Sequence, residues 1–386
     1  LLQGRDRDNP DLELGLVGRC LSHDRYIIGP AGNAKRAAGA FPDQRGPLTG
    51  KRHSGLWRTR GVRMPTQPGG MYRGGGGIAR LLRSRFGLLL IAAIGLFLYW
   101  QMNQKPVPFS GRTQLNTIPV EREVELGQQS YLQILNQEQS QGNTVLCAGG
   151  NCSGEAAQLT ATVREIGARL QAAAVELERE LLDEGYAFTP VAETFDWTYY
   201  VVQSATPNAF CLPGGYVAVY TGILDITGDY NGRVDLDDLA DPDKLAVVMG
   251  HEIGHALAHH GAERMSQQQV MQVGQVAVGM SMGDMDPSQQ RAIMQAFGIA
   301  AQGGMLKFSR EHETEADKIG LDLLVRACYD PREAPELWQR MGKIGGGQRP
   351  PEWMSTHPAS ETRAENFRKW MPDAIAEFER RCGPLR

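Results

Sequence analysis

The chain has 386 residues, 41 % of them hydrophobic, which allows one large domain or two modest ones and excludes a wholly disordered chain. Its six Cys are too few at this length for a disulfide-dense scaffold. The net charge of −4 divides into +10 for residues 1–100 and −14 for the remainder, and so acidic a main body argues against a nucleic-acid partner, because phosphate binding needs clustered Lys and Arg.

The first 77 residues differ in composition from the rest of the chain. They are rich in Arg, Gly and Pro and show no sustained apolar period. This composition predicts that 1–77 is a disordered basic extension, or sequence translated upstream of the natural start and not part of the natural protein. A basic arm that contacts anionic lipid or nucleic acid is the functional alternative.

Residues 78–100 have the composition of a membrane anchor. The fifteen uncharged residues Phe86–Trp100 follow several Arg residues, and the run ends in Tyr99 and Trp100. Positive charge before an apolar run and aromatic residues after it predict a signal anchor with its N-terminus in the cytoplasm. The run is shorter than the roughly 20 residues of a comfortable span, so a cleaved signal peptide is the alternative. Either interpretation places residues 101–386 outside the cytoplasm.

Four of the Cys residues form two candidate pairs. Cys147 and Cys152 bracket a Gly-rich loop, and a bridge between Cys328 and Cys382 would pin the C-terminal tail. In an exported domain such spacings favour disulfides. A metal site at Cys147 and Cys152 is the alternative, but no second Cys pair lies at a suitable spacing.

Helical segments flank a short region of strands. Apolar residues recur at three- and four-residue steps over Val120–Leu135 and Ala156–Leu182, which predicts amphipathic helices. The β-branched and aromatic runs Trp197–Val202 and Gly215–Thr221 predict strands. Helix resumes near Asp243 and dominates to the end of the sequence. The expected fold is therefore α+β and predominantly helical, with a small sheet.

An acidic loop at 229–238 has some features of a calcium-binding loop. Its Asp and Asn residues precede Gly232, but the loop is two residues short before that Gly. A solvated loop is the simpler interpretation, and Ca²⁺ bound there, as in a calcium-dependent adhesion module, is the alternative.

The motif that carries chemistry is His251-Glu-Ile-Gly-His255, an H-E-x-x-H on a predicted helix. Residues four apart lie on one face of a helix, so His251 and His255 can both bind one ion. Imidazole suits Zn²⁺, and Glu252 beside it can take a proton from water and pass it to a leaving amine. The flanking residues are apolar on most sides, which predicts a buried helix whose His and Glu need a partner. Two satisfied core histidines are the structural alternative.

A third zinc ligand must come from outside the motif helix. His259 lies about 12 Å along the helix axis from His251, which is too far for one ion. The run Ser309–Asp317 offers two overlapping acidic pairs at i, i+4 spacing, which are Glu311 with Glu315 and Glu313 with Asp317. Helix geometry alone does not choose between the pairs, although the apolar residues after Asp317 favour the second. A solvated helix face is the alternative for all four acids.

These motifs resemble a membrane-linked family of metallopeptidases that includes HtpX, the CAAX prenyl protease and the mitochondrial Oma proteins. That family reads H-E-x-x-H followed by E-x-x-x-D, which this chain has at His251–His255 and Glu313–Asp317. The resemblance implies a zincin-like metallopeptidase with its small sheet beside the active-site helix. It also implies one catalytic Zn²⁺ held by His251, His255 and Glu313, with Glu252 as general base and Asp317 as hydrogen-bond partner of a ligating His.

Two further segments resemble the family. One matches its edge-strand motif, where the substrate backbone is expected to pair, and the candidate substrate-binding residues there are Asn208, Ala209 and Phe210. Within that motif Cys211 is expected to be buried and inert, or to bind zinc in a resting state. His357 and Arg363 resemble an H-P…R element near the metal. Both are expected to support the oxyanion, unless His357 occupies the fourth zinc position and keeps the enzyme latent, or only caps the structure.

The resemblance is closest to the bacterial periplasmic branch with a single membrane span. It implies a zinc endopeptidase that cleaves unfolded or misassembled envelope and membrane proteins. Its expected place is the bacterial inner membrane, with the N-terminus in the cytoplasm and residues 101–386 in the periplasm. The alternative from another class is a latched, zinc-bound chaperone or scaffold that binds clients without cleaving them, and an intact Glu252 argues against it.

Overall fold

The structure, a computed structural model, divides the chain into two units, Leu1–Gly70 and Met71–Arg386. The first unit lies outside the described residues, as do the predicted extension 1–77 and the loop 229–238 that we considered for calcium. The described residues are 85–148, 152–228, 241–283, 285–292, 295, 309–344, 357 and 361–385.

Helices make up most of the described residues, as the sequence predicted. The two amphipathic helices expected near 120–135 and 156–182 are present and extend slightly beyond those bounds. Helices also follow the sheet in the sequence, as expected from about 243 onward. In chain order the helices are α1 (Arg85–Met102), α2 (Val120–Ser140), α3 (Gly154–Asp183), α4 (Leu224–Thr227), α5 (Pro242–Leu257), α6 (His260–Ser281), α7 (Arg310–Arg326), α8 (Glu333–Ile344) and α9 (Glu361–Cys382).

A two-stranded hairpin and a four-stranded sheet complete the described fold. In the hairpin, β1 (Gln104–Pro106) pairs with β2 (Thr113–Leu115) in antiparallel fashion. The larger sheet consists of β3 (Thr144–Val145), β4 (Thr198–Gln203), β5 (Ala209–Leu212) and β6 (Tyr216–Tyr220). Its order is β3-β4-β6-β5, with β6 parallel to β4 and antiparallel to β5. Strand β5 is therefore an edge strand of the described sheet.

The core lies where the sheet meets α3, α5 and α7. Helix α5 contacts β5 on one side and α3, α7 and α8 on others, so nearly every one of its residues is buried. Leu245 and Met249 on α5 are fully buried, as are Leu170 on α3 and Leu323 on α7. Burying each such side chain contributes about 1.5–3 kcal/mol of hydrophobic free energy, which is why the motif helix is fixed in place.

Local features fix both ends of α5. At its start the Asp241 carboxylate accepts a hydrogen bond from the Asp243 amide, and Pro242 occupies the first helical turn. At its end the backbone of His259 adopts a left-handed conformation, with φ at 56°. A left-handed residue terminates an α-helix, so the chain changes direction there and α6 begins at the next residue, His260.

Helices α5 and α7 approach each other closely because glycines line their contact. A Cβ atom on Gly254 would lie 2.9 Å from the Ala316 carbonyl oxygen, and one on Gly320 would lie 3.0 Å from the His251 amide nitrogen. Side chains at either position would push the helices apart. The close approach brings Glu313, at the start of α7, to the face of α5 that carries His251.

Helix α1 contains the apolar run near the N-terminus and packs against α6. Its exposed apolar residues include Leu90, Ile91, Ile94, Phe97 and Leu98. Among the described residues, no helix combines the length and the hydropathy needed to cross a membrane. The signal anchor over 78–100 stays a prediction, and its first part, 78–84, lies outside the described residues.

Both expected disulfides are present, one between Cys147 and Cys152 and one between Cys328 and Cys382. The sulfur atoms of Cys147 and Cys152 are bonded to each other, so this pair does not form the metal site that we considered as an alternative. The second disulfide joins the end of α9 to the segment just after α7. It therefore links the helix that carries Arg363 covalently to the helix that carries Glu313.

Candidate metal centre

Four buried donor residues from three parts of the chain converge on one point. His251 and His255 lie one turn apart on α5, Glu313 lies in the first turn of α7, and His357 lies in the segment before α9. Each is at most 4 % exposed. One donor atom from each residue lies within 4.8 Å of the other three.

The distances between these donors fit a tetrahedral metal ion. The Nε2 atom of His251 lies 3.1 Å from Nε2 of His255 and 3.3 Å from Nδ1 of His357. The Glu313 carboxylate lies 3.4 Å and 3.5 Å from the two Nε2 atoms and 3.0 Å from the His357 Nδ1. Four donors placed tetrahedrally at 2.0–2.1 Å from an ion would be about 3.4 Å apart.

The orientation of the two motif rings also fits a cation. The Nδ1 atom of His251 lies 3.0 Å from the Asp317 carboxylate, and Nδ1 of His255 lies 2.8 Å from Nδ1 of His260. When both rings are neutral and carry their proton on Nδ1, both Nε2 atoms present lone pairs to the same point. A carboxylate and several ring nitrogens that meet as acceptors in a buried pocket need a cation between them.

Burial and mutual contacts shift the pKa values of these donors. Burial lowers the pKa of His251, but hydrogen bonds to Asp317 and Glu313 outweigh burial and raise that pKa to about 9. Burial holds the pKa of His255 well below its ordinary value. Burial raises the pKa of Glu313, but hydrogen bonds from the surrounding histidines outweigh it and hold that pKa well below its usual range. At neutral pH Glu313 is thus a carboxylate and His255 is neutral, as metal ligands must be.

A carboxylate and an arginine support His251 from behind. Arg363 donates two hydrogen bonds to Asp317, at 2.7 Å and 2.6 Å, and a third to Glu313 at 2.9 Å. Its guanidinium lies 3.4 Å from the centre of the Trp338 ring, in position for a cation–π contact. We expected Arg363 to support the oxyanion, and in the structure its three donors face the Asp317 carboxylate and the carboxylate of the candidate ligand Glu313.

A longer chain of contacts lies behind His255. His260, fully buried at the start of α6, contacts Nδ1 of His255 through its own Nδ1. Its Nε2 lies 2.8 Å from the Glu315 carboxylate on α7. Glu315 accepts hydrogen bonds from Arg112 at 3.1 Å and 2.8 Å and from the Ser110 hydroxyl. Both donor residues belong to the turn between β1 and β2.

His260 and Arg112 were not predicted from the sequence. His259, which we considered as a ligand, contacts Glu123 at 2.8 Å and is not part of the donor group. Helical spacing does not predict the position of His260, because the left-handed backbone at 259 separates it from α5. Arg112 lies far from every motif in the sequence, and only a general rule that buried acids need a partner would have suggested a cation there.

Glu252 lies next to His251 on α5 and is 4 % exposed. One of its carboxylate oxygens lies 3.7 Å from Nε2 of His357. The Cys211 thiol is buried and is not part of a disulfide, and burial, together with the nearby Glu252 charge, raises the pKa of that thiol. Cys211 does not belong to the donor group found among the described residues.

The backbone N–H and C=O groups of β5 point alternately toward β6 and toward the open edge of the described sheet. The Asn208 carbonyl oxygen accepts a hydrogen bond from the Tyr220 amide at 2.9 Å. Because successive residues of an antiparallel strand alternate in direction, Phe210 also points its backbone groups toward β6. Ala209 and Cys211 point theirs toward the open edge of the described sheet. Since β5 contacts α5, this edge lies beside the motif helix.

Comparison with known proteins decides the family. Residues 174–371 match Peptidase family M48, and that segment contains all four donors of the metal centre. The mitochondrial metalloendopeptidase OMA1 of Saccharomyces cerevisiae is 30 % identical over 300 residues, which are 75 % of this chain and 75 % of that protein. The chain belongs to peptidase family M48. This membership confirms the resemblance drawn from the motifs and the predominantly helical, zincin-like α+β fold.

Two other relatives of this M48 chain are matched over shorter segments. The mitochondrial metalloendopeptidase OMA1 of Schizosaccharomyces pombe is 36 % identical over 185 residues, which are 47 % of this chain and 49 % of that protein. The beta-barrel assembly-enhancing protease of Escherichia coli is 27 % identical over 178 residues, which are 44 % of this chain and 33 % of that protein. The matches thus span about half of the first relative and a third of the second.

Proposed function

We propose that this M48 chain is a zinc-dependent endopeptidase that cleaves peptide bonds of unfolded or misassembled envelope and membrane proteins. The observation that carries the proposal is the buried group of three ring nitrogens and one carboxylate beside the motif residue Glu252. A nitrogen and oxygen donor set with these spacings suits zinc. The similarity to two metalloendopeptidases and a beta-barrel assembly-enhancing protease supports the reaction and the substrate class.

In this proposal His251, His255 and Glu313 hold the zinc ion. When bound, zinc supplies Lewis acidity, which makes a water molecule nucleophilic near neutral pH and polarises a carbonyl group. Asp317 and Arg363 keep the His251 ring and the Glu313 carboxylate in place. We assign Arg363 to this positioning role, because it donates hydrogen bonds to the ligand Glu313 and to Asp317, which contacts the ligand His251.

Glu252 acts as the general base in this proposal. Its carboxylate lies in the same buried pocket as the donors, where it can take a proton from water and deliver it to the leaving amine. A buried carboxylate keeps that proton from exchanging with bulk water between the two steps. The matched amide, Glu252→Gln, retains the shape of the side chain but cannot accept the proton.

His357 is proposed as a latch at the fourth position of the metal centre. Its Nδ1 is as close to His251 and Glu313 as a fourth ligand would be, and its Nε2 points toward Glu252. A resident imidazole at that position competes with water and substrate. The His357 ring must therefore leave this position before cleavage, and the oxyanion role applies only after it has left.

The open edge of β5 is proposed as the place where substrate adds as an extended strand. The outward backbone groups of Ala209 and Cys211 would pair with the substrate, while Asn208 and Phe210 hold β5 against β6. This refines the expectation that Asn208, Ala209 and Phe210 all bind substrate. We retain as proposals the single N-terminal anchor in a bacterial inner membrane and the periplasmic catalytic domain.

The test uses the purified full chain, with metal content measured by elemental analysis and cleavage measured on casein. We expect about one zinc per chain, loss of cleavage in a chelator, and recovery on adding zinc. Glu252→Gln should keep the zinc and lose cleavage by a factor of roughly 10²–10⁴. A wild-type chain without bound zinc after zinc addition, or a fully active Glu252→Gln, contradicts the proposal.

The placement of His357 gives the scaffold hypothesis a specific basis, because a permanent latch would leave a zinc-bound protein without activity. His357→Ala separates the two functions. A latent protease should cleave casein in a zinc-dependent way once the latch is removed. A scaffold should bind casein and leave it intact in both forms, as measured by co-sedimentation and gel electrophoresis.

A further inference from the structure

His255 is the histidine ligand nearer the end of α5. On the side of its ring that faces away from the donor group, it contacts a second histidine, His260. The two Nδ1 atoms of His255 and His260 are 2.8 Å apart, and both rings are buried. Two ring nitrogens at this distance share one proton, since two lone pairs or two N–H groups would repel each other. The identity of the donor follows from what each ring meets at its other nitrogen.

Metal binding by His255 determines which of the two rings donates this hydrogen bond. In the donor group, His255 faces His251 and Glu313 through Nε2, so that atom needs its lone pair when a metal is bound. The proton of His255 then lies on Nδ1 and is donated to His260. His260 accepts at Nδ1 and carries its own proton on Nε2, which lies 2.8 Å from the Glu315 carboxylate. The three groups form one directed chain from carboxylate to metal ligand.

The far end of the chain is held by the hairpin that precedes the family match. Arg112 donates to Glu315 through Nε and Nη2, and its Nη1 and Nη2 also meet Glu263 on α6 at 3.1 Å and 2.9 Å. Glu263 in turn lies 2.8 Å from Nε2 of His312, whose ring stacks on that of His260. One guanidinium thus holds the carboxylate that contacts His260 and the carboxylate that contacts the stacked ring of His312.

We propose that His260 is a positioning residue for the metal ligand His255, and that Glu315 and Arg112 fix the orientation of His260. This inference rests on the proposed metal site. In it, His260 touches neither metal nor substrate, and it acts by holding the His255 ring at one angle with its lone pair directed to the ion. Hydrogen bonds behind a ligating His fix its tautomer and raise its basicity, and losing them weakens metal binding by about 10–100-fold.

The test measures the zinc dissociation constant of full-chain variants by competition with a chromophoric chelator at one fixed pH. His260→Ala should bind zinc roughly 10–100-fold more weakly than the wild type. His260→Asn should recover most of the affinity, because its amide oxygen takes the place of Nδ1. His260→Gln should remain weak, because its amide lies at the Nε2 end of the replaced ring.

The matched control is His259→Asn. His259 is the neighbouring histidine, contacts Glu123 and lies outside the donor group, and Asn tolerates its left-handed backbone. Its zinc affinity should stay within about twofold of the wild type. A wild type that binds no zinc refutes the metal site itself, which distinguishes that failure from the failure of this inference.

Two results would overturn the inference while the metal site stands. One is a folded His260→Ala with wild-type zinc affinity, and the other is equal affinity of His260→Asn and His260→Gln. A nitrogen-15 spectrum of the imidazoles in the zinc-loaded wild type gives an independent reading, which does not depend on any variant folding. It should show the proton of His255 on Nδ1 and that of His260 on Nε2, and the opposite tautomers would contradict the proposal.

Discussion

The two motif histidines have supports that differ in length. Behind His251, the Asp317 carboxylate contacts the ring directly and Arg363 holds that carboxylate. Behind His255, an entire imidazole intervenes before the carboxylate, and Arg112 holds the far end. Each of these two series of contacts ends in a carboxylate on α7, followed by an arginine from another part of the fold. The same structural requirement, a ligand ring held in one orientation, is met over different distances.

The difference follows from the geometry of α7. Glu313 and Asp317 are four residues apart and lie on one face, which points at His251. Glu315 lies between them in sequence and so is turned about 200° around the helix from each. Glu315 therefore points away from the metal side of α7, and the His260 ring spans the gap between Glu315 and His255. One helix therefore serves both ligands from opposite sides.

Replacing Arg363 or Arg112, one at a time, should give the largest losses of stability. Arg363→Leu leaves two buried carboxylates without their cation, which should cost about 3–5 kcal/mol in the free energy of unfolding. Arg112→Leu should cost less, about 1–3 kcal/mol, because its side chain is 19 % exposed and both carboxylates keep a histidine partner. Urea unfolding in a chelator measures both, and Arg122→Leu, at a half-exposed ion pair, is the control that should show no loss. An equal loss of unfolding free energy in Arg363→Leu and Arg112→Leu would contradict the expected difference between the supports of His251 and His255.

Replacing the carboxylates of Asp317 and Glu315 by amides should weaken zinc binding to different degrees. Asp317→Asn removes the charge in direct contact with His251 and should weaken zinc binding by about 10–100-fold. Glu315→Gln acts through His260, and its amide oxygen still accepts a hydrogen bond, so we expect a loss below about tenfold. The same chelator competition measures both constants. A larger loss in Glu315→Gln would show that the longer chain is the more important one.

His357 is the fourth donor of the metal centre, and it comes from neither α5 nor α7. Because we assign it to a latch, His357→Ala should weaken zinc binding less than Asp317→Asn does. Casein cleavage should rise by about fivefold or more, since a larger fraction of molecules has the fourth position open. Initial rates at saturating zinc measure this. Reduced cleavage with retained zinc would instead assign His357 to support of the oxyanion.

A substitution in the edge strand β5 should give the smallest effect, a modest loss of kcat/KM. Ala209→Pro removes an outward amide proton from an edge strand, where proline is tolerated. Loss of one hydrogen bond, about 0.5–1.5 kcal/mol, should lower kcat/KM for casein by roughly 2–13-fold and leave zinc affinity unchanged. Phe210→Pro is the matched comparison, because it removes an inward bond to β6 and should destabilise the fold. An Ala209→Pro variant with the wild-type kcat/KM would exclude substrate pairing at this edge.

Local sequence patterns predicted much of the fold. The helices α2 and α3, the strands β4 and β6 and both disulfides follow from periodicity, residue type and Cys spacing. Strand β5 was predicted only from the resemblance to the family's edge-strand motif, because four residues are too few to show a period. In the structure its pairing with β6, to which it is joined by a tight turn, makes it an edge strand of the described sheet.

The candidate metal centre was predicted unevenly for the same reason. His251 and His255 were found because their spacing matches one helical turn, a relation that the sequence carries in full. Helix geometry did not choose between the pair Glu311 and Glu315 and the pair Glu313 and Asp317. The apolar residues after Asp317 favoured the second pair, and the resemblance selected Glu313 as the ligand. The close crossing of α5 and α7 places Glu313 and not Glu315 among the donors.

By itself the sequence determined the motif helix, its pair of imidazoles and the acidic helix that would complete a metal site. These relations span only a few residues, so backbone geometry fixes them before any tertiary contact forms. Tertiary structure alone decided which acid reaches the donors, that His357 joins them, and that His260 and Arg112 support His255. Those contacts join residues from 5 to 203 positions apart in the chain, and their distances depend on how the helices and the hairpin pack.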